Sequence, residues 1–315
     1  MKEIGIMEVG GFRVGHAQNE EAGTGITVIL CDKMSPAGLD VRGGGPASRE
    51  SQILNPLMNA EGINAVVLSG GSAFGLDAAG GVQKYLEERG EGFAVGPIRV
   101  PLVCQSCVFD LGVGRYDVRP DAAMAYEACQ NASYDAPQEG NVGAGTGCSV
   151  GKIMGVERAM KTGFGTYAVE AGNIRVGAMV AVNAAGDVCG PDGNVMAGLL
   201  SEDKMSLSSS FDAMVQGLEV QAGANTTIGL IVTNVKLPKA RLCKVAGMAH
   251  NGYARAIRPV HTSGDGDSIY ALSTGEVEGS MDAVGALGVY AMEMAIRRAA
   301  EKATGAYGYK AMCDL

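Results

Sequence analysis

Five short runs of apolar and β-branched residues recur along the chain, and they constrain its fold more than any other feature. Each run is bounded by Gly, Asn, Asp or Ser, and each has the length of a strand that is buried on both faces. The runs cover residues 26–30, 64–68, 176–182, 227–233 and 268–272. The pattern predicts sheets that are covered on both sides.

Four other stretches have the spacing and end signals of helices, at residues 72–89, 120–132, 238–254 and 280–303. Ser72 is the predicted N-cap of the first, and Pro120 is predicted in the first turn of the second. Strands and helices alternate, but without the regular spacing of a doubly wound nucleotide-binding fold. Two sheets packed face to face and covered outside by helices would bury the strands, so we predict a layered α/β fold.

Glycine supplies 48 of the 315 residues, and its clusters separate the apolar segments. Such clusters suit tight turns and close backbone approach to a ligand. No Pro/Ser-rich or charged linker interrupts the chain, so residues 1–315 are predicted to form a single domain.

Several functional classes are excluded at this stage. The net charge of −9 and the lack of a basic face argue against nucleic acid. No apolar run reaches the roughly 18 residues of a membrane span. The amino terminus lacks the layout of a signal peptide, so a cytoplasmic protein that does not bind membranes is expected. Cys104 and Cys107 have C-x-x-C spacing but no second ligand pair follows, so neither a metal nor another cofactor is predicted.

Two known motifs, a phosphate-binding loop and a hydrolase nucleophile elbow, are matched only in part. Residues 143–152 resemble a phosphate-binding loop, but Thr146 occupies the position of its first Gly and Ile153 follows Lys152. In the stretch 70–75, Phe74 replaces the second Gly of a hydrolase nucleophile elbow.

Histidine is scarce, with only His16, His250 and His261, and no Ser-His-Asp motif is recognisable. His261 precedes a Gly-Asp string that by itself is typical of a solvated turn or a loose cation site. No Glu closes a calcium loop at the required distance.

Thr226 stands at the start of an apolar run, directly after Asn225. Within a peptide such a Thr is unremarkable. If the bond before it breaks, the freed α-amine becomes a base on the same residue as the hydroxyl nucleophile.

Four segments together resemble the L-aminopeptidase/D-esterase (DmpA-type) family of self-cleaving serine or threonine peptidases, in the family's order and spacing. The segments are Arg42-Gly43-Gly44-Gly45-Pro46 with Arg49-Glu50, residues 66–79, residues 140–147 and Asn225-Thr226-Thr227-Ile228-Gly229. Thr226 matches the family nucleophile because Thr233-Asn234 lies where the family has Thr-Asp. Choosing Thr227 would turn the hydroxyl to the opposite face of the strand.

The resemblance implies a four-layer α-β-β-α sandwich, like that of N-terminal-nucleophile hydrolases but with different connectivity. It implies self-cleavage between Asn225 and Thr226 into an α chain of residues 1–225 and a β chain of residues 226–315. It also implies a homotetramer of αβ units that hydrolyses short peptides, amides or esters with a free N-terminal amine.

The resemblance further assigns site residues. Asn183 corresponds to the oxyanion-binding Asn. Asp265 and Asp267 lie where the best-known members have a Ser and a Glu, and the Asp265 departure leaves open whether Asp265, Asp267 or Ser263 assists the nucleophile. Residues 104–111 depart from a Tyr-containing pocket segment and offer Phe109 and Asp110 instead.

Substrate contacts are less constrained. Backbone N–H groups of the Gly143–Gly147 loop, with Gly143 and Gly145 as the candidate contacts, are predicted to line the pocket. The alternative is that these glycines only permit a tight crossing of the backbone. Asp77, Asp110 and Asp267 are the acids available to bind the substrate's amine. Two alternatives to the hydrolase remain: an acyltransferase of the ornithine acetyltransferase type on a similar scaffold, and an uncleaved, non-catalytic binding protein.

Overall fold

The computed structural model describes residues 1–217 and 225–315. Residues 218–224, near the end of the predicted α chain, lie outside the described residues. The strands are β1 (Lys2–Ile4), β2 (Phe12–Asn19), β3 (Thr24–Ser35), β4 (Ala37–Val41), β5 (Ser48–Arg49), β6 (Ile63–Ser69), β7 (Phe93–Val95), β8 (Ile98–Val100), β9 (Val103–Cys107), β10 (Ser149–Val150), β11 (Met160–Lys161), β12 (Phe164–Ala171), β13 (Ile174–Asn183), β14 (Asp187–Cys189), β15 (Val195–Ala197), β16 (Thr226–Val235), β17 (Ile257–Arg258) and β18 (Ser268–Val277). The α-helices are α1 (Ala79–Glu87), α2 (Ala122–Gln130), α3 (Ser210–Val215), α4 (Lys239–Ala256) and α5 (Met281–Lys302).

Two sheets form the centre of the molecule. The first has the order β1-β12-β13-β16-β18-β4, and the second has the order β2-β3-β6-β9-β5. In the first sheet, β16 is antiparallel to β13 and parallel to β18. The amino end of β16 therefore lies beside the carboxyl end of β13 and the amino end of β18. Three chain segments thus meet where these central strands begin or end.

Three apolar cores join the layers. One lies between the sheets and includes Phe12, Leu68, Met179, Leu230 and Tyr270. A second lies between the first sheet and helices α4 and α5, and a third lies between the second sheet and helices α1 and α2. The order of layers is thus helices, sheet, sheet, helices, and the predicted four-layer α-β-β-α fold is confirmed.

Alternation along the strands explains why both faces are apolar. Leu230 points into the core between the sheets, whereas the next residue, Ile231, packs against the helices. All five predicted apolar runs lie in strands: β3, β6, β13, β16 and β18. Strand β2 was missed because Arg13, His16 and Gln18 interrupt its apolar pattern.

The predicted start of the first helix is wrong. Residues Ser72–Ala78 form a 3₁₀ helix whose N-cap is Gly71, not Ser72, and α1 begins only at Ala79. Instead, the Asp110 carboxylate accepts a hydrogen bond from the Gly71 N–H at 2.7 Å. A distant side chain therefore satisfies the donor at this strand-to-helix turn.

The second helix also begins later than predicted. Pro120 lies before the helix, and Asp121 is the N-cap of α2. The Asp121 side chain accepts a hydrogen bond from the Met124 N–H at 2.9 Å. Helices α4 and α5 occupy the predicted segments. In the part of the chain that the structure describes, no helix combines the length and apolarity needed to cross a membrane.

Candidate active site

Thr226 is the first residue of β16 and lies in the middle of the first sheet. Asn183, the last residue of β13, is its partner in the antiparallel register. The loop before β18 runs beside Asn225, which forms a parallel bridge with Asp265. The strand pairing therefore brings together four residues selected from the sequence, although 82 positions separate Asn183 from Asp265.

Two donors hold the carbonyl oxygen of Asn225, which belongs to the peptide bond before Thr226. The Thr226 hydroxyl donates to this oxygen at 2.5 Å, and the Gly266 N–H donates to it at 2.8 Å. Thr226 is buried, with 4% of its surface exposed. Hydrogen bonds of this kind draw electron density from the carbonyl carbon, and Thr226 Oγ1 lies next to the same carbonyl group.

Glycine is required at position 266 on steric grounds. A Cβ there would lie 2.8 Å from Thr226 Oγ1 and 2.9 Å from the Gly45 carbonyl oxygen. The glycine triplet packs against the same loop: the Gly43 N–H donates to the Asp267 carbonyl oxygen, and the Gly45 N–H donates to that of Asp265. These contacts give the Gly43–Gly45 motif a physical role, because the triplet fixes the acidic loop beside Thr226.

The two acids have different partners. Asp267 Oδ1 accepts a hydrogen bond from the Thr227 N–H at 2.7 Å, and Asp267 Oδ2 lies 2.8 Å from His261 Nδ1. Asp265 Oδ2 accepts from the Thr262 N–H at 2.6 Å. Asp265 Oδ1 is buried and has no hydrogen-bond partner among the described residues. Burial and the neighbouring Asp267 charge raise the pKa of Asp265.

Lys152 is a site residue that sequence reasoning missed. Its Nζ donates to both the carbonyl oxygen and Oδ1 of Asn183, at 2.9 and 2.8 Å. Burial lowers the pKa of Lys152 to about 7, although the charges of Asp265, Asp110 and Asp267 act in the opposite direction. The available signal was a lysine within an apolar, glycine-rich stretch, since such a lysine is buried only where acceptors surround it.

The side-chain amide of Asn183 has a fixed orientation. Its Oδ1 accepts from the Ser149 N–H at 3.1 Å as well as from Lys152, and its Nδ2 donates to the Phe109 carbonyl oxygen at 2.8 Å. An amide nitrogen carries two hydrogens. The Phe109 bond uses one of them, and Nδ2 makes no other hydrogen bond within the described residues.

Asp110 ties the second sheet to this region. Its Oδ2 accepts from the Thr24 hydroxyl at 2.6 Å, while its Oδ1 holds the Gly71 N–H. Burial raises the pKa of Asp110 to about 6, and the hydrogen bonds from Thr24 and Gly71 oppose the shift. Asp110 follows Phe109 in the chain and therefore lies near Asn183, but both of its oxygens already have partners in the protein.

The Gly143–Gly145 loop packs against the framework. The Gly143 N–H donates to Gln18 Oε1 at 3.1 Å, and a Cβ on Gly145 would lie 2.2 Å from the Phe164 nitrogen. No hydrogen bond among the described residues connects either glycine to Thr226. Asp77 and Ser263, the other acid and hydroxyl considered, are exposed. Within residues 1–217 and 225–315, no group of three or more His, Cys, Asp or Glu side chains is arranged to hold a metal ion.

Comparisons with known proteins agree with this architecture. The L-aminopeptidase D-Ala-esterase/amidase from Ochrobactrum anthropi, whose solved structure is described as a new variant among the Ntn hydrolase fold, superposes with a TM-score of 0.69 at 19% identity and covers 98% of this chain and 89% of that one. The fold is thus that of the N-terminal-nucleophile-like hydrolases.

The sequence profile described as peptidase family S58 matches residues 5–313. An uncharacterized aminopeptidase of Mycobacterium tuberculosis is 39% identical over 290 residues, which cover 86% of this chain and 82% of that protein. A 6-aminohexanoate-oligomer endohydrolase of Kocuria sp. is 32% identical over 274 residues, covering 85% of this chain and 74% of that protein. The chain belongs to peptidase family S58.

Proposed function

We propose that this protein cleaves itself between Asn225 and Thr226 and then works as an aminopeptidase or amidase-esterase with Thr226 as its nucleophile. The observation that carries the proposal is the Asn225 carbonyl group, whose oxygen contacts the Thr226 hydroxyl and the Gly266 N–H together. The same two groups would serve both self-cleavage and substrate hydrolysis.

Self-cleavage begins when Thr226 Oγ1 attacks the Asn225 carbonyl carbon. The C–N bond to Thr226 breaks, its nitrogen takes a proton, and an ester joins Asn225 to the Thr226 side chain. Water then hydrolyses the ester, leaving a carboxylate on Asn225 and a free hydroxyl and α-amine on Thr226. The Gly266 N–H stabilises the oxyanion, a contribution of roughly 3 kcal/mol for one such donor in comparable sites.

In the mature enzyme, Thr226 Oγ1 attacks the substrate carbonyl carbon and its proton passes to the Thr226 α-amine. The leaving amine or alcohol takes a proton as its bond to the carbonyl breaks, and water hydrolyses the acyl-enzyme ester. An unperturbed α-amine has a pKa near 8, so it is an effective base close to neutral pH. Asn183 Nδ2 and the Gly266 N–H would stabilise the oxyanion.

Lys152 gives the site a second group that exchanges a proton near neutral pH. Its contacts with Asn183 place it next to the proposed oxyanion donor. A positive charge there would stabilise developing negative charge on the substrate oxygen. Asp265 and Asp267 would hold the new α-amine of Thr226 in place, since both lie in the loop next to it and their side chains are buried.

The proposed substrates are short peptides, amides or esters with a free N-terminal amine. Asp265 favours a cationic group over an anionic one, because its buried Oδ1 lacks a hydrogen-bond partner within the described residues. The similarity to a 6-aminohexanoate-oligomer endohydrolase extends the proposal to amides in which the amine is several carbons from the carbonyl.

We further propose that αβ units assemble into a homotetramer. The β7–β8 hairpin presents four exposed apolar side chains on one face, because Phe93 pairs with Val100 and Val95 pairs with Ile98. Exposed apolar faces of this kind favour association with another protein surface. Light scattering should give a mass four times that of the 32.2 kDa chain, and a monomeric mass would contradict the assembly.

Denaturing electrophoresis and intact mass spectrometry test the central proposal. Purified protein should separate into fragments of 225 and 90 residues, and amino-terminal sequencing of the smaller should give Thr-Thr-Ile-Gly-Leu. Thr226→Ser should retain cleavage and hydrolysis, whereas Thr226→Ala should stay intact and lose both activities. Folded, unprocessed protein that hydrolyses p-nitroanilides of amino acids at the full rate would overturn the proposal.

The two alternatives give different results in the same experiments. An acyltransferase would transfer the acyl group of an N-acyl amino acid to an added amine faster than to water. A binding protein would remain one chain, and its Thr226→Ala variant would migrate and bind ligands unchanged.

A further inference from the structure

His261 contacts the acid beside the nucleophile, but the proposed reaction gives it no role. Its Nδ1 lies 2.8 Å from Asp267 Oδ2, and its backbone N–H donates to the same oxygen at 3.2 Å. The Asp267 side chain is 1% exposed, so water does not compete for these bonds. His261 therefore supplies two of the contacts that fix this carboxylate.

The backbone at His261 has an uncommon conformation. Its φ is +59°, in the left-handed region that only a few per cent of non-glycine residues adopt, His more often than most. A His in this region persists only where the surrounding structure enforces it, and such residues cluster at functional sites. Here the conformation directs both the backbone N–H and the ring of His261 toward the same oxygen of Asp267.

Helix α4 holds the ring in place. The His261 ring stacks on Tyr253 with centroids 5.9 Å apart, and it meets the His250 ring edge-on at 4.8 Å. Tyr253 is fully buried and donates from its hydroxyl to the Ser268 carbonyl oxygen at 3.2 Å. The ring is thus packed against side chains that have fixed positions of their own.

Asp267 is consequently held from two sides. His261 binds Oδ2, and the Thr227 N–H binds Oδ1 at 2.7 Å, only one residue from the nucleophile. Rotation of the carboxylate would break one of these contacts. The orientation of Asp267 relative to the amino end of Thr226 therefore depends on His261.

We propose that His261 is a positioning residue for the reaction at Thr226: it orients the Asp267 carboxylate that holds the α-amine of the cleaved Thr226. The inference rests on the proposed function, because that amine exists only after self-cleavage. His261 donates from Nδ1 in this role and does not contact the substrate. Its effect should therefore fall on the chemical step and not on substrate binding.

Two substitutions separate the hydrogen bond from the backbone conformation. His261→Asn keeps an N–H donor near the Nδ1 position and tolerates the left-handed region. His261→Gly also tolerates that region but removes the side-chain donor. Tyr134→Phe is the matched control, because it deletes one hydrogen bond to a carboxylate, that of Asp32, at an exposed position.

Each full-length variant is purified, and its extent of self-cleavage, unfolding midpoint, kcat and KM are measured on an amino-acid p-nitroanilide. We expect His261→Gly to lower kcat about 10- to 100-fold, the scale of a misplaced catalytic group, with KM changed less than about threefold. His261→Asn should keep kcat within about threefold of wild type, and Tyr134→Phe should match wild type.

The inference is overturned if His261→Gly keeps wild-type kcat, or if His261→Asn loses as much kcat as His261→Gly. If His261→Gly does not accumulate as folded protein, His261→Asn decides alone, and a loss of tenfold or more counts against the inference. Failure of the proposed function has a different signature, because Thr226→Ala would then remain hydrolytic while both His261 variants keep full activity.

Discussion

Replacing Lys152 with Met removes a buried amine while keeping an unbranched side chain of similar length. The pKa of Lys152 is lowered from 10.5 to about 7 by burial. Each unit of pKa difference between the folded and unfolded states corresponds to about 1.4 kcal/mol. Because the lysine is about half protonated in the fold at pH 7, holding it there costs about 4 kcal/mol at that pH. Two hydrogen bonds to Asn183, worth about 1 kcal/mol each, offset part of that cost.

The expected net result is a gain for Lys152→Met of about 2 kcal/mol in the free energy of unfolding at pH 7. The sign follows from proton binding. Between pH 7 and 10.5 the unfolded chain binds more protons at this lysine than the folded chain, so wild-type stability from this group rises with pH and is lost as pH falls toward 7. The advantage of the Met variant should therefore shrink steadily above pH 7.

The measurement is urea unfolding of both proteins at pH 7, 8 and 9 under reducing conditions, because all eight cysteines are free. Both carry Thr226→Ala, so that each is a single uncleaved chain. Lys236→Met, at an exposed position, controls for the substitution itself. Parallel stability curves for Lys152→Met and its parent would refute the reasoning.

In protein that retains Thr226, we expect Lys152→Met to lower kcat at least tenfold. This is about the loss of one general acid–base or electrostatic contribution.

Two other substitutions test the loop and the interior acid. Gly266→Ala should slow self-cleavage at least about tenfold, because its Cβ would lie 2.8 Å from Thr226 Oγ1, whereas Gly80→Ala, with no atom within 4 Å of the new Cβ, should cleave normally. A gel time course checks this, and equal rates would contradict the steric argument. Asp110→Asn should flatten the dependence of unfolding free energy on pH. The pKa of the Asp110 carboxyl is raised from 3.8 to about 6 in the folded protein, so the wild type loses stability as pH rises through that interval. Denaturant unfolding at pH 4, 5 and 6 checks it, and an unchanged slope in the variant would contradict the role of Asp110.

Local sequence was sufficient to find five strands of the two central sheets. The apolar runs in β13 and β16 are short and bounded by turn residues. A strand that is buried on both faces is apolar along nearly its whole length, so such a run predicts a strand. The choice of Thr226 over Thr227 came from the family resemblance, because Thr233-Asn234 lies where the family has Thr-Asp. The two-residue period of a strand adds only that the two hydroxyls point to opposite faces. The glycine motifs likewise mark positions where backbone must approach backbone, as Gly43 does toward Asp265.

Other features depend on contacts between distant parts of the chain. Ser72 was expected to cap a helix, but Asp110 supplies the acceptor at that turn from 39 residues away. Lys152 acquires its lowered pKa only when it is buried against Asn183, 31 residues further on. No local pattern encodes these partners, since they are set by which strands lie next to each other.

The sequence alone located five strands of the two central sheets, including the strand that begins with the Thr226 hydroxyl, because short buried runs follow from local side-chain volume, polarity and alternation. Only the tertiary structure decided which groups surround that hydroxyl. Hydrogen bonding and desolvation act over a few ångströms of space, so the Gly266 N–H, Lys152 and the His261–Asp267 pair were placed by the packing of strands remote in sequence.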